Sequence, residues 1–421
     1  MHEAALRRLG RNTMGGPGRR WLAINLLVLA RAAEWCQHAE RQGRLQACLQ
    51  AKIPAWTPLS AIQDCFAPCL EAAYRSLGAE PRVPVPVLAS LSRYESMLQG
   101  LPSWQVSPSH KKGPRLRLGR CERNAVLRCP LDDFNLCLRP ENKDAAAVLD
   151  QIESNLTSTR VAFWHQHQFK MWPQEGQPRD TSGDPLPSTT LRPVPGATYF
   201  STNPAFTRDD VVPVPLGLRD HLTGAYDANF SPRRVTPKPE QIIRWERELD
   251  AAPASSSIDE WLSRSTVLYC DSFRMKWGGG GHSYGRAKML EAFAENGFEC
   301  DPTPTNHSAY VKGLRSSLFV AAPRGNGIAA YRIWEALALG AVPVVLKTHT
   351  GTHDRLYGAL PVVEIGPSTA HPKFDAWTSV TPEFLRGERA RIERRARAGG
   401  FDVASAYLPY WLGRLFNETL A

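Results

Sequence analysis

The sequence predicts an α/β fold in which parallel strands are covered by helices. Three observations carry that prediction: short apolar runs rich in β-branched residues, helical-period segments between them, and glycine or proline at the joints. The clearest unit is residues 318–346. An apolar strand over 318–322 is closed by Pro323, which cannot donate to a ladder. Arg324-Gly325-Asn326-Gly327 then forms a turn whose glycines permit positive φ and close approach of a ligand to bare amides. Ile333, Ala336 and Leu337 recur at helical spacing over 328–339, Gly340 ends that helix, and 342–346 returns as a second strand.

Taken along the chain, residues 1–35 read as a signal peptide or signal anchor. Arg7, Arg8, Arg11, Arg19 and Arg20 precede the apolar run 21–30, and Ala30-Arg31-Ala32 has the small-x-small form of a cleavage site. Ten residues are too short to span a bilayer comfortably, and a plain amphipathic helix fits the same stretch. Residues 36–150 read as a cysteine-rich extension with a basic linker, where Lys111, Lys112, Arg115, Arg117, Arg120 and Arg123 crowd one loop-like segment. Residues 151–250, or an earlier start, form a first domain with strands over 160–169, 197–203 and 211–218. A proline- and glycine-rich loop spans 173–195, and a connector over 231–240 leads into a helix at 241–249.

The second domain, 260–400, reads as doubly wound. It has a strand over 266–273, a helix over 284–296 stopped by Gly297, a strand beginning at 298–301, the unit 318–346, a short helix at 353–357, a strand over 360–365 and a long helix from Pro382. Within that last helix the basic run 386–397 reads as a solvated face, because Glu388 and Glu393 interleave with the arginines and Glu393 pairs with Arg397 at i,i+4. Residues 401–421 hold a helix over 404–415, apolar on one side, that should pack across the domains.

The chemistry concentrates at the turn. Backbone amides at a helix start attract phosphate, and in open parallel sheets ligands lie outside the carboxyl ends of the strands. Arg332 and Glu335 share a helix face at that end. A guanidinium fork suits a diphosphate, and a carboxylate suits a pair of ribose hydroxyls. An i,i+3 surface ion pair is the plainer account of Arg332 and Glu335 taken alone.

In register, Phe319, Pro323, Arg324, Gly325, Asn326, Gly327, Arg332, Trp334, Glu335, Ala336, Leu337, Gly340, Pro343, Val344 and Val345 resemble the nucleotide-sugar motif of the exostosin-like glycosyltransferases, over roughly residues 266–385. Two positions depart from it: Ala329, where relatives carry an acidic residue, and Tyr331, where histidine is frequent. The resemblance implies a GT-B fold of two Rossmann-like domains with the nucleotide-sugar site in the second. It implies donor contacts from Arg286, Arg324, Gly325, Asn326, Gly327, Arg332 and Glu335, and a UDP-sugar as substrate. The acceptor would be a glycan or glycoprotein rather than a nucleic acid.

For such a transfer the cationic cradle opposes charge on the departing diphosphate, so no metal or other cofactor is required in principle. The chain has no D-x-D pair. Base candidates in the first domain are His165, His167, Asp220 and His221, each with an equally simple structural role. A secreted carbohydrate-binding protein that keeps the fold without turnover is the alternative, motivated by Ala329. A charge-driven polyanion binder is a third, since the net charge is +10.

Localisation reads as the secretory pathway, in the Golgi lumen. Sequons stand at Asn155, Asn229, Asn306 and Asn417. Of nine cysteines, Cys36, Cys48, Cys65, Cys69, Cys121, Cys129 and Cys137 cluster in the first third, which reads as disulfides; a zinc site at Cys65 and Cys69 is the competing idea. Cys270 and Cys300 fit either core thiols or a bridge. The 421 residues, 43% of them apolar, suffice for two cores.

Overall fold

The computed structural model describes residues 46–76, 88–89, 103–107, 115–116, 124–128, 160–165, 197–202, 209–219, 245, 249, 257–273, 282–303, 305–324, 329–347, 353–366 and 374–420. Their strands form two sheets. The first runs β2-β1-β3-β4-β5-β6, from β1 (Ser103–Ser107), β2 (Arg115–Leu116), β3 (Asn124–Arg128), β4 (Arg160–His165), β5 (Ala197–Ser201) and β6 (Val211–Pro213). Its pairs are parallel except β1 with β2. The second runs β10-β9-β8-β7, all parallel, from β7 (Thr266–Tyr269), β8 (Ser317–Ala321), β9 (Val342–Leu346) and β10 (Val363–Ile365). The α/β class expected from the sequence is therefore present.

The helices are α1 (Gln46–Gln50), α2 (Leu59–Ser76), α3 (Ile258–Leu262), α4 (His282–Glu295), α5 (His307–Ser316), α6 (Tyr331–Ala338), α7 (Asp354–Tyr357), α8 (Pro382–Arg397) and α9 (Leu408–Leu420). Of these, α3, α4 and α8 cover one face of the second sheet and α5 and α6 the other, which explains why β8 and β9 are buried at every residue and, Ser317 apart, read as apolar runs. Phe319, Ala321, Val342 and Val344 pack with Trp261 of α3, Phe293 of α4 and Leu385 and Ile392 of α8. On the other face Val320, Ala322 and Val345 pack with Val311 and Leu314 of α5 and Ile333 and Trp334 of α6. That second cluster runs on into Phe200 of β5 and into Val214, Leu216 and Leu218, which follow β6.

Several expectations from the sequence are corrected. Residues 103–128, assigned to a basic linker, supply three strands; Arg115 lies in β2, paired antiparallel to Ser107. The start of the extension is likewise knit into the second sheet's side, with the Trp56 indole donating to the Gly340 carbonyl at 3.0 Å and its ring 5.4 Å from that of Trp261. The helix expected over 328–339 spans Tyr331–Ala338, because Ala330 is extended at φ −109 and ψ 149 and offers no capping side chain. Residues 298–301 form no strand. They run beside 271–273 through two backbone bonds, Ser272 N–H to Asp301 and Phe273 N–H to Pro302.

β7 and β10 are shorter than expected, β10 because Pro361 has no amide to offer the ladder. The arginine-rich helix α8 is more than a solvated face. Glu393–Arg397 pairs on it as expected and Glu388 pairs with Arg391, but Arg389 donates to the Leu262 carbonyl, Arg395 to the Gly358 and Gly400 carbonyls, and Arg397 to Asp259. The tail helix α9 packs on β3 and β4 of the first sheet and on α1 and α2.

Two disulfides lie among the described residues, Cys48–Cys69 joining α1 to α2 and Cys270–Cys300 joining the end of β7 to the stretch after α4. The first removes Cys69 from any zinc site and leaves Cys65 exposed as a free thiol. The pair indicates an oxidising, secreted or lumenal setting. No described helix is long and apolar enough to cross a membrane; residues 1–35, the loop 173–195 and the connector 231–240 lie outside the described residues.

Candidate functional site

Parallel strands bring their carboxyl ends to one edge, and in the second sheet that edge collects the charged residues. α4 follows β7 and carries Arg286 near its start. α5 leads directly into β8, so its first turn, with Tyr310, stands at the same edge. Arg324 follows β8, and α6 opens with Arg332 and then Glu335. Gly325, Asn326 and Gly327 lie outside the described residues.

Arg332 acts as a strut. Its two terminal nitrogens donate to the carbonyls of Asp271 (2.9 Å) and Ser272 (2.6 Å), tying α6 to the loop after β7. The guanidinium lies 4.0 Å from the Phe273 ring centroid, 5.2 Å from that of Tyr310 and 5.8 Å from that of Tyr269. The loop it grips is conformationally costly. Ser272 has φ +61, the left-handed region that non-glycine residues avoid. Hydrogen bonds on its carbonyl, amide and hydroxyl hold it there, the last two involving Asp301 and Thr305. The Cys270–Cys300 bridge closes the same corner.

Glu335 is 5% exposed and accepts the Tyr310 hydroxyl at 2.6 Å. Burial raises its carboxyl above the ordinary range; the Tyr310 hydrogen bond, the charges of Arg219 and Arg332 and the Arg219 backbone pull it back down. Arg219 belongs to the loop after β6, so this carboxylate faces the first sheet. Burial and the Glu335 charge together push the Tyr310 phenol well up, which keeps it a donor at working pH. Arg286 is lowered to about 10 by burial and then by the nearby Arg332 charge, and it remains cationic at neutral pH. Two guanidiniums therefore stand close together beside a buried carboxylate.

A second corner lies around Arg324. Its guanidinium donates to the Lys347 carbonyl at 3.3 Å. His353, fully buried, stacks on Tyr357 with ring centroids 5.4 Å apart. Burial, then the Arg324 charge, lower His353 to about 3, while the Thr202 backbone opposes them, so the imidazole is neutral. Thr202 follows β5, whose last residue, Ser201, pairs in register with His165. His165 thus stands at the carboxyl edge of the first sheet, opposite Ser201, the residue before Thr202. His167, Asp220 and His221 lie outside the described residues.

The structure brings Arg286, Arg332 and Glu335 together and sets Arg324 at a separate corner, after β8 and beside His353. Sequence reasoning missed Tyr310, His353 and the aromatic bed of Tyr269 and Phe273. Only the i, i+4 relation of His353 to Tyr357 was available as a signal, and it is common in helices. A separate cavity of about 40 Å³ lies at the last turn of α6 among Trp56, Leu218, Trp334 and Tyr407; it has room for little more than a water. In comparison with known proteins, no family model and no curated sequence matches this chain.

Proposed function

We propose that this chain is a glycosyltransferase that moves a sugar from a nucleoside diphosphate-sugar, UDP in the first instance, to a glycan acceptor. In this proposal the two sheets are the Rossmann-like halves of a GT-B enzyme resembling the exostosin-like family. The carrying observation is the pairing of two guanidiniums, Arg286 and Arg332, with Glu335 at the carboxyl edge of a parallel sheet, where such folds take ligands, with Arg324 following the neighbouring strand β8.

The diphosphate sits against the arginines, whose charges are fixed before it arrives; Arg332 is held by two carbonyls and needs no rearrangement as charge develops. Glu335, oriented by Tyr310, takes the ribose hydroxyls. Departure of the diphosphate is stabilised by this cradle without a metal, the acceptor attacks from the first sheet's side with inversion, and His165 is the base best placed by strand order. The setting is the Golgi lumen, supported at the level of an oxidising compartment by the two disulfides.

A second proposal, a carbohydrate-binding protein with this fold and no turnover, is favoured by one observation: Arg332 and Glu335 already have protein partners. Calorimetry with UDP, GDP and their sugar conjugates, followed by donor hydrolysis, separates the two. Binding lost in Glu335→Ala with measurable hydrolysis supports transfer; binding without turnover on any acceptor supports the second; no heat with any nucleotide sinks both.

A further inference from the structure

We propose that Asn306 is an N-glycosylation site whose side-chain nitrogen receives an oligosaccharide in the lumen of the secretory pathway. Asn306-His307-Ser308 is an N-x-S sequon. The fold puts it at the amino end of α5, where Asn306 is the capping residue, extended at φ −67 and ψ 163. Its Oδ1 accepts the Ala309 N–H at 2.9 Å. A carboxamide is planar, so with the oxygen turned to the helix the Nδ2 branch is turned away from it. Asn306 and Ser308 are both exposed.

The transfer consumes a polyprenyl-diphosphate oligosaccharide. A bond forms between Nδ2 and the anomeric carbon, the bond from that carbon to the diphosphate oxygen breaks with its electron pair leaving on the diphosphate, and the amide gives up one proton. Oδ1 takes no part in this change. The cap on Ala309 therefore survives modification, and helix formation and glycosylation do not compete for the same atom.

Two features of the surroundings favour this sequon. The preceding residue, Thr305, is tied to Ser272, two residues from the Cys270–Cys300 bridge, so the corner is built in the oxidising compartment where the modification occurs. Tyr310 stands one turn further along α5, which puts the glycan on the rim of the arginine-lined edge. Asn155 and Asn229 lie outside the described residues, and Asn417 falls within α9. The proposal needs only passage through the lumen and is independent of catalysis.

The test expresses the full chain in a eukaryotic secretory host as wild type, Asn306→Asp and Ser308→Ala, followed by amidase release in heavy-oxygen water and peptide mass spectrometry. The wild-type peptide should carry labelled aspartate at 306, and both variants should lose one glycan step on a gel. Asn306→Asp keeps a capping acceptor, so it should melt with the amidase-treated wild type. An unmodified Asn306 in the purified wild-type chain, or unchanged mobility of Ser308→Ala, overturns the proposal.

Discussion

Replacing Tyr310 with phenylalanine deletes a single oxygen, the one that donates to Glu335 at 2.6 Å. Because Glu335 is 5% exposed, water cannot simply take the vacated place. Loss of a hydrogen bond to a charged group costs about 1.5–3 kcal/mol, and to a neutral one about 0.5–1.5 kcal/mol. The charge state of Glu335 therefore sets the size of the effect. Its carboxyl is raised by burial and lowered by the Tyr310 hydroxyl, so Tyr310→Phe raises it further. A carboxyl with a folded pKa above its unfolded value binds more protons when folded, so its contribution is fully present below the unfolded value and is lost as pH rises through the folded one.

The variant extends that loss upward in pH. Near pH 4 both proteins hold a protonated Glu335, and the difference between them should be about 1 kcal/mol; near pH 8 it should grow to about 2–3 kcal/mol. Urea unfolding of both proteins at the two pH values measures it, repeated in a Glu335→Gln background where the pH dependence of the difference should vanish. An equal difference at both pH values, or a pH-dependent one that persists once the carboxylate has been replaced by the amide, would falsify the coupling.

The remaining predictions concern the supports of the same edge. His353 is held near 3 by burial and Arg324, so stability should be lost as pH falls from about 6.5 toward that value, at up to about 1.4 kcal/mol per pH unit; His353→Leu should flatten this acid limb, and an unchanged limb would clear His353 of the role. Cys300→Ser opens the 30-residue loop closed by Cys270 and should cost about 2–4 kcal/mol in denaturant unfolding; reductant should cost the wild type more, because it opens Cys48–Cys69 as well, and a variant as stable as wild type would refute the role of this bridge. At Gly313 an added Cβ would lie 2.3 Å from Cε2 of Tyr269, whose ring is 6% exposed. Gly313→Ala should therefore destabilise by about 1–3 kcal/mol, and a variant as stable as wild type would mean that α5 and β7 are not packed this closely.

Much of the second sheet was legible because its signals are local. β8 and β9 are buried at every position since both faces are covered, and their runs, apolar except for Ser317 and bounded by Pro323 and Gly340, need no tertiary knowledge to find. Gly297, with φ +80, follows the end of its helix where the sequence placed the stop. The start of α6 was misjudged because Ala330 carries no capping group to mark it. The strands over 103–128 were missed for a related reason: basic residues at a sheet margin look the same in sequence as basic residues in a linker.

The residue types of the candidate edge, arginines on successive βα units with one helix-borne carboxylate, were determined by sequence alone, because strand order in a parallel sheet sends every following loop to the same side. Only the tertiary structure decided what those groups touch. Arg332 spends both terminal nitrogens on carbonyls sixty and sixty-one residues away, Glu335 takes its hydroxyl donor from another helix, and His353 loses its charge to burial. Hydrogen-bond partners and desolvation depend on which surfaces meet in space, and spacing along the chain carries no record of that.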